Sequence, residues 1–250
     1  GPVDILCGGT PLQGVLSFGS IHTTDASTAI QKSRDGKAIT WSDAKVITGI
    51  PSGQLPDALR SGTRIVLSKE RRTPVRLGMN GELIAAPFLD DRADCVVWLQ
   101  TLLSLKEAGA CPDVLFAATT AEELGGHGAL WLLGGTRPDV CSALEIAPVA
   151  PDNDLQVTPT PTCWSTDGYS PTAPSDLDLV AAAAKAAGTG VSFHALTRGG
   201  SDASCGAASG HCARPITLAL PVENTHGFEV MHIGAIESLT RLTTALLKTL

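Results

Sequence analysis

Four short polar clusters punctuate the second part of this 250-residue chain: Leu89-Asp90-Asp91-Arg92, Thr119-Thr120-Ala121-Glu122-Glu123, Glu145 with Pro148, and Asn224-Thr225-His226. Each falls where a strand is predicted to end and a helix or turn to begin. That is where ligands and catalytic groups gather in α/β sheets. Carboxylates and an imidazole brought together there could hold divalent cations, and a further carboxylate could carry a proton. Singly, most have plainer readings. Asp90 or Asp91 could cap the helix that follows, and Glu122 and Glu123 could be the acidic first turn of another. The Glu pair, however, follows a predicted buried strand rather than opening on a polar surface. Glu145 is harder to explain away. It lies inside Ala143-Leu144-Glu145-Ile146-Ala147, and a lone carboxylate in an apolar strand costs several kcal/mol unless it is paired or binds a cation.

The elements that must position these groups can be read from hydrophobic pattern. Residues 3–80 carry short β-type runs at Val3–Cys7, Gly14–Phe18, Lys45–Thr48 and Arg64–Leu67, separated by Gly, Pro, Ser and Asp. This predicts a small all-β module, residues 1–80. From Gly81 to Leu250 the texture is α/β. A helix is expected over Asp91–Ala108, with Val96, Leu99, Leu102, Leu103 and Leu105 as its stripe and Gly109 as its stop. A buried strand is expected at Val114–Thr119, a helix from Gly128, a strand at Ala143–Ile146 and a helix over Ser175–Ala187. A strand at Ile216–Leu220 and a terminal helix with a Leu239, Leu242, Leu246 stripe complete the reading. The long segment Pro148–Pro174 is expected to be a site loop.

Composition bounds the function. An apolar fraction of 43% can build real cores, and a net charge of −7 without a basic stripe argues against a nucleic-acid partner. No apolar run approaches the roughly 20 residues of a membrane span, so no membrane partner is expected. Seven cysteines at irregular spacing, without a C-x-x-C pair, do not form a disulfide or zinc-knuckle framework. They read as core thiols, Cys95 and Cys141 among them, in a reducing cytoplasm.

Together the clusters resemble the co-catalytic metal site of the M42 metallo-aminopeptidases, which share a clan with the M20 and M28 metallopeptidases. The family's L-D-D-R stands as Leu89–Arg92, its T-T-x-E-E-x-G-x-x-G-A as Thr119–Ala129, its G-G-[TS]-D-A as Gly199–Ala203 and its H-x-x-E as His226–Glu229. The resemblance implies a mixed-sheet α/β catalytic domain like those of the zinc exopeptidases, with residues 1–80 as an inserted β-barrel module for subunit pairing in a homo-oligomer. It implies that Asp90, joined to Asp91 by a cis peptide, bridges two ions through both of its carboxylate oxygens, that Glu123 and His226 complete one ion's ligands, and that Glu145 binds the other. Glu122 would be the general base that takes a proton from the attacking water. Gly200 would let backbone approach the site, and Asp202 would contact the substrate amine or support the ligands. One or two divalent ions per chain are expected, as zinc, cobalt or manganese, with short peptides as substrate.

Two departures qualify the match. The family's H-x-D segment, whose histidine binds the second ion, has no counterpart here. His22-Thr23-Thr24-Asp25 has the wrong spacing and reads as a surface turn. Gly1-Pro2 resembles a protease-cleavage scar, so an upstream portion of the catalytic domain is expected to be missing. The first ion would keep three protein ligands and the second only two carboxylates, making it weak or empty. Glu145 itself stands where relatives more often carry Asp; in the wider clan Glu there accompanies carboxypeptidases and N-acyl amino acid deacylases. Those activities, and a non-catalytic relative that keeps only the fold, are the alternatives.

Overall fold

A computed structural model describes residues 1–25, 28–110 and 112–250. They form two compact units, Gly1–Thr73 and Pro74–Leu250. In the first, strands β1 (Pro2–Ile5), β2 (Leu12–Ser17), β3 (Lys45–Ile47) and β4 (Ile65–Leu67) make an antiparallel sheet in the order β3-β2-β1-β4, with a short helix α1 (Ala29–Arg34) between β2 and β3. Val3 and Ile5 are buried. Gly14 is required by packing, since a Cβ there would lie 2.5 Å from the Val46 side chain. Asp4, also buried, accepts from the Lys69 backbone N–H at 3.0 Å and faces Arg72 at 3.7 Å. No pairing closes β3 onto β4 among the described residues, so the module is an open sheet rather than the expected barrel. Strands of only three residues at both edges offer few groups with which to close it.

The second unit begins earlier than residue 81. β5 (Val75–Leu77) pairs with β6 (Leu83–Pro87) and so belongs to the larger sheet. There follow α2 (Leu89–Glu107), α3 (His127–Thr136), β7 (Val140–Val149), β8 (Thr162–Thr166), α4 (Pro174–Ala186), β9 (Ser192–Ala195), α5 (Asp202–Ala208), β10 (Arg214–Glu223), β11 (Phe228–His232) and α6 (Gly234–Leu247). The mixed sheet runs β5-β6-β11-β10-β8-β9, with β7 parallel to β10 along its whole length, Val140 opposite Arg214 through Val149 opposite Glu223. β8 and the later part of β11, Val230 and Met231, share the other edge of β10.

β10 is apolar on both faces because both are covered, the pattern expected of a central strand. Ile216, Leu218, Leu220 and Val222 join Val97 of α2, Val180 of α4 and Leu239, Leu242 and Leu246 of α6 in the main core. One residue out of phase, Thr217 hydrogen-bonds Ser201, the N-cap of α5, at 2.7 Å, and Ala219 packs with Trp164. Among the described residues no helix is long and apolar enough to cross a membrane.

Four expectations are corrected. Val114–Thr119 has no strand pairing, and Leu115 is 67% exposed. A β-type run becomes a strand only when a partner edge is available. Helix α2 buries Ala93, Val97, Thr101 and Leu105, while Val96, Leu99, Leu102 and Leu103 are exposed. Cys95 is likewise exposed rather than a core thiol. The Pro148–Pro174 segment is not a continuous loop but carries β8, the strand that places Trp164 beside Ala219.

Because Leu218 is fully buried at the centre of this sheet, Leu218→Ala should lower unfolding free energy by about 2–5 kcal/mol. Urea unfolding with an unchanged m-value would show it. A change under about 1 kcal/mol would mean that the strand is not central to the core.

Candidate metal centre and catalytic cleft

The site forms because adjacent strands end side by side. β6 lies antiparallel to β11 with Pro87 opposite Phe228 and Ala86 opposite Glu229. The residues just after β6 and just before β11 are therefore neighbours. Phe88 takes a left-handed conformation (φ 60°), and Asp90 and Asp91, joined by a cis peptide, break the helical path within the first turn of α2. Arg92 folds back, donating from Nε to the Phe88 carbonyl at 2.7 Å and from Nη2 to the Pro87 carbonyl at 2.5 Å. On the other side of the strand pair, Asn224 and His226 adopt positive φ in the β10–β11 turn.

Glu229 links the two turns from beneath. Its side chain is 1% exposed. Oε2 accepts from the backbone N–H groups of Leu89 at 2.5 Å and Asp90 at 3.1 Å, and Oε1 accepts from His226 N–H at 2.9 Å. A glutamine there could offer only one oxygen, and its NH2 would face an N–H donor. The H-x-x-E spacing signals this residue in the sequence, but only the pairing of β6 with β11 explains what it holds.

The Glu pair arrives on a separate loop. Ala121 is left-handed, Glu122–Leu124 form one tight turn, and Gly125 and Gly126 both have positive φ. Gly128 is required, since a Cβ would fall 2.5 Å from the Thr120 carbonyl oxygen. These loops bring together two groups of donors, Asp90 with Glu123 and His226, and Asp90 with Asp91 and Glu145, the atoms in each lying within 4.8 Å of one another. His226 Nε2 stands 3.5 Å from Asp90 Oδ2 and 3.5 Å from Glu123 Oε1. Two ligands of a tetrahedral zinc ion would sit about 3.3–3.5 Å apart, given metal–ligand bonds near 2.0–2.1 Å. The first group thus fits a divalent cation by donor type and by separation. In the second, the bend of the chain at Asp90 and Asp91 adds a third carboxylate to the two expected, and Asp91 Oδ1 is buried without a hydrogen-bond partner among the described residues.

Crowding of like charge dominates the electrostatics. Burial first, then the neighbouring Glu123 and Glu229, raises the Asp90 pKa. Burial and Asp90 push Asp91 up to about 8. Burial, then Asp202 and Glu123, brings Glu122 to about 7. Burial and Asp91 hold Glu145 well above the carboxylate range, opposed by the Ile146 N–H at 3.1 Å. Asp94, fully buried one helical turn beyond Asp90, is raised well above its ordinary value by burial and by Asp91. Asp94 escaped sequence reasoning, although its i+4 spacing from Asp90 was visible. A bound cation would relieve this repulsion.

Asp202 supports the Glu loop. Its Oδ2 accepts from the Thr119 hydroxyl at 2.5 Å, and Gly126 backs onto its Oδ1, a Cβ there falling 3.2 Å away. Gly200 lies under the Tyr169 ring so closely that a Cβ would fall 2.2 Å from it. The cleft above is lined by Asp90, Glu122, Glu145, Trp164, Arg198 and His226 among others. His127 is exposed and His22 lies in an exposed turn of the other unit.

A family model described as M42 glutamyl aminopeptidase matches residues 2–242. Comparison with curated proteins gives no match. Among solved structures, a TET aminopeptidase from a marine sediment thaumarchaeon has a TM-score of 0.85 at 20% identity, covering 100% of this chain and 70% of that one. An aminopeptidase from Desulfurococcus kamchatkensis gives 0.83 at 20%, covering 100% and 68%. The TET1 peptidase of Pyrococcus horikoshii, which can assemble into a tetrahedron or a large octahedral shell, gives 0.80 at 22%, covering 100% and 72%.

Two outcomes are expected. Glu229→Ala strands three backbone donors and should cost about 2–4 kcal/mol of stability, with a roughly 10–100-fold loss of zinc affinity. Unfolding curves and equilibrium dialysis would measure the two, and unchanged affinity would refute the linking role. Zinc binding should also release protons, because Asp90 and Asp91 must give theirs up, so affinity should rise as pH increases from about 6 to 8. Calorimetry in buffers of different ionisation enthalpy would detect the release. None near neutral pH would mean that these carboxylates are already charged.

Proposed function

Because the chain belongs to the M42 family of metal-dependent aminopeptidases, we propose that it removes N-terminal residues from short peptides through the cleft where β6 and β10 end and β7 presents Glu145. The observation that carries this reading is the convergence of Asp90, Glu123 and His226 into one donor set with Glu122 in the same cleft.

In this proposal Asp90, Glu123 and His226 hold one divalent cation, and Asp90, Asp91 and Glu145 hold a second. Mixed carboxylate and imidazole donors suit zinc, cobalt or manganese at the first position, and the all-oxygen set suits a harder ion at the second. A cation bound between these groups supplies Lewis acidity toward the scissile carbonyl and lowers the pKa of a nearby water. Glu122 takes a proton from the attacking water and returns it to the leaving amine nitrogen. A carboxylate tuned to about 7 can do both near neutral pH. Asp202 restrains the Glu122 loop through Thr119, and Gly200 lets Tyr169 close over the cleft wall. Family membership favours an aminopeptidase over a carboxypeptidase, a deacylase or a non-catalytic relative. The small β-sheet unit is proposed to pair subunits in a homo-oligomer, and the cysteines among the described residues, all unpaired, suit a reducing cytoplasm.

Glu122→Gln should lower kcat on a leucyl anilide by at least about 100-fold while metal content per chain, by elemental analysis after dialysis, stays the same. Loss of metal in this variant would show that Glu122 is a ligand and not the proton carrier. Undiminished turnover would remove the mechanism altogether.

A further inference from the structure

Two cysteines that take no part in the cleft lie together in the second unit. Cys141 stands on β7 opposite Pro215 of β10, in phase with Ala143. Ala143 is opposite Thr217, whose hydroxyl bonds the N-cap of α5, so Cys141 shares the face of the sheet on which α5 packs. α5 ends in a reversal: Gly210, at φ 73°, donates to the Ala207 carbonyl at 2.9 Å, and His211 N–H donates to the Gly206 carbonyl at 2.9 Å. The reversal turns Cys212 into the interior, where it is 7% exposed, while Cys141 keeps partial access to solvent. The two thiols face each other there, and the Cys212 sulfur also lies against the backbone N–H groups of Cys141 and Arg214.

Those surroundings favour a thiolate on one sulfur only. The Cys141 thiol first, then the two N–H groups and the Arg214 guanidinium, hold the Cys212 pKa down to about 6 against the cost of burial. Cys212 and then burial push the Cys141 thiol up. We propose that Cys212 and Cys141 form a redox site, oxidised by a hydroperoxide to an intramolecular disulfide that joins β7 to the link between α5 and β10. The Cys212 thiolate attacks one peroxide oxygen, the O–O bond breaks, and the departing hydroxide takes a proton from solvent, leaving a sulfenic acid. Cys141 then attacks that sulfur and gives its proton to the expelled hydroxide. Two thiols and one hydrogen peroxide become one disulfide and two waters. The staple ties α5, which opens with Asp202, to the strand that presents Glu145 four residues beyond Cys141. The site stands whether or not the chain is a peptidase.

The test is mass spectrometry of the folded full chain after brief exposure to hydrogen peroxide, with remaining thiols alkylated and the digest left unreduced. A peptide pair joined through Cys141 and Cys212 should be at least about tenfold more abundant than any other cysteine pairing, and dithiothreitol should remove it. Cys141→Ser should leave a sulfenic acid at Cys212 that dimedone traps, Cys212→Ser should abolish both products, and Cys95→Ser should change neither. The oxidised chain should unfold at a temperature roughly 5–15 °C above the reduced chain. The proposal is overturned if Cys141 and Cys212 are recovered alkylated while the exposed Cys95 is oxidised, if the link forms only in denaturant, or if the unfolding temperature does not rise.

Discussion

Five carboxylates, those of Asp90, Asp91, Glu122, Glu123 and Glu145, are gathered around one cleft, and they cannot all carry charge there without a counter-ion. Burial and mutual repulsion raise four of them, and a further buried group, Asp94, adds to the repulsion from below. Such a cluster is costly to fold. The surrounding chain consequently works to hold it: Glu229 ties the Asp90 and His226 turns together, Arg92 locks the end of β6, and Asp202 holds the Glu loop through Thr119. The first two of these use backbone groups as donors or acceptors in preference to other flexible side chains, which keeps the cluster in place before any cation arrives.

The main core has the rigidity this requires. β7 and β10 run parallel over ten residue pairs, and the even-numbered side chains of β10 meet three helices. Glu145 enters the site from the middle of that ladder, opposite Ala219, so its position is set by backbone pairing rather than by its own rotamer. The Glu122 loop is different in kind. It is shaped by consecutive positive-φ residues and by glycines that admit no side chain, which fixes a tight path without regular structure. Aminopeptidase neighbours of the same fold are longer than this chain, which covers 68–72% of them.

The separation of charge within the cleft organises its two ends. The acidic cluster lies where β6 and β10 end and where β7 presents Glu145, whereas Arg198 and the Trp164–Leu196 wall stand on the β8 and β9 side.

The sequence alone revealed which residues gather at the cleft, because each is a polar interruption whose spacing from its flanking strand or helix is local. Asp90, Glu122, Glu123, Glu145 and His226 were all legible this way, as were the stripe of α6 and the existence of β10. The fold class followed from the same local periodicities. What only the tertiary structure decided is everything that depends on which strand finds which edge. Val114–Thr119 has the composition of a strand and no partner, while β8 and β11 have weaker patterns and become strands because β10 offers them an edge. The same holds for side chains. Nothing local distinguishes the buried face of α2 from its exposed leucines, and nothing tells that Asp91 joins Glu145 or that Arg198 faces the cleft. Long-range pairing sets those contacts, and hydrophobic period records only that a face exists, not what will cover it.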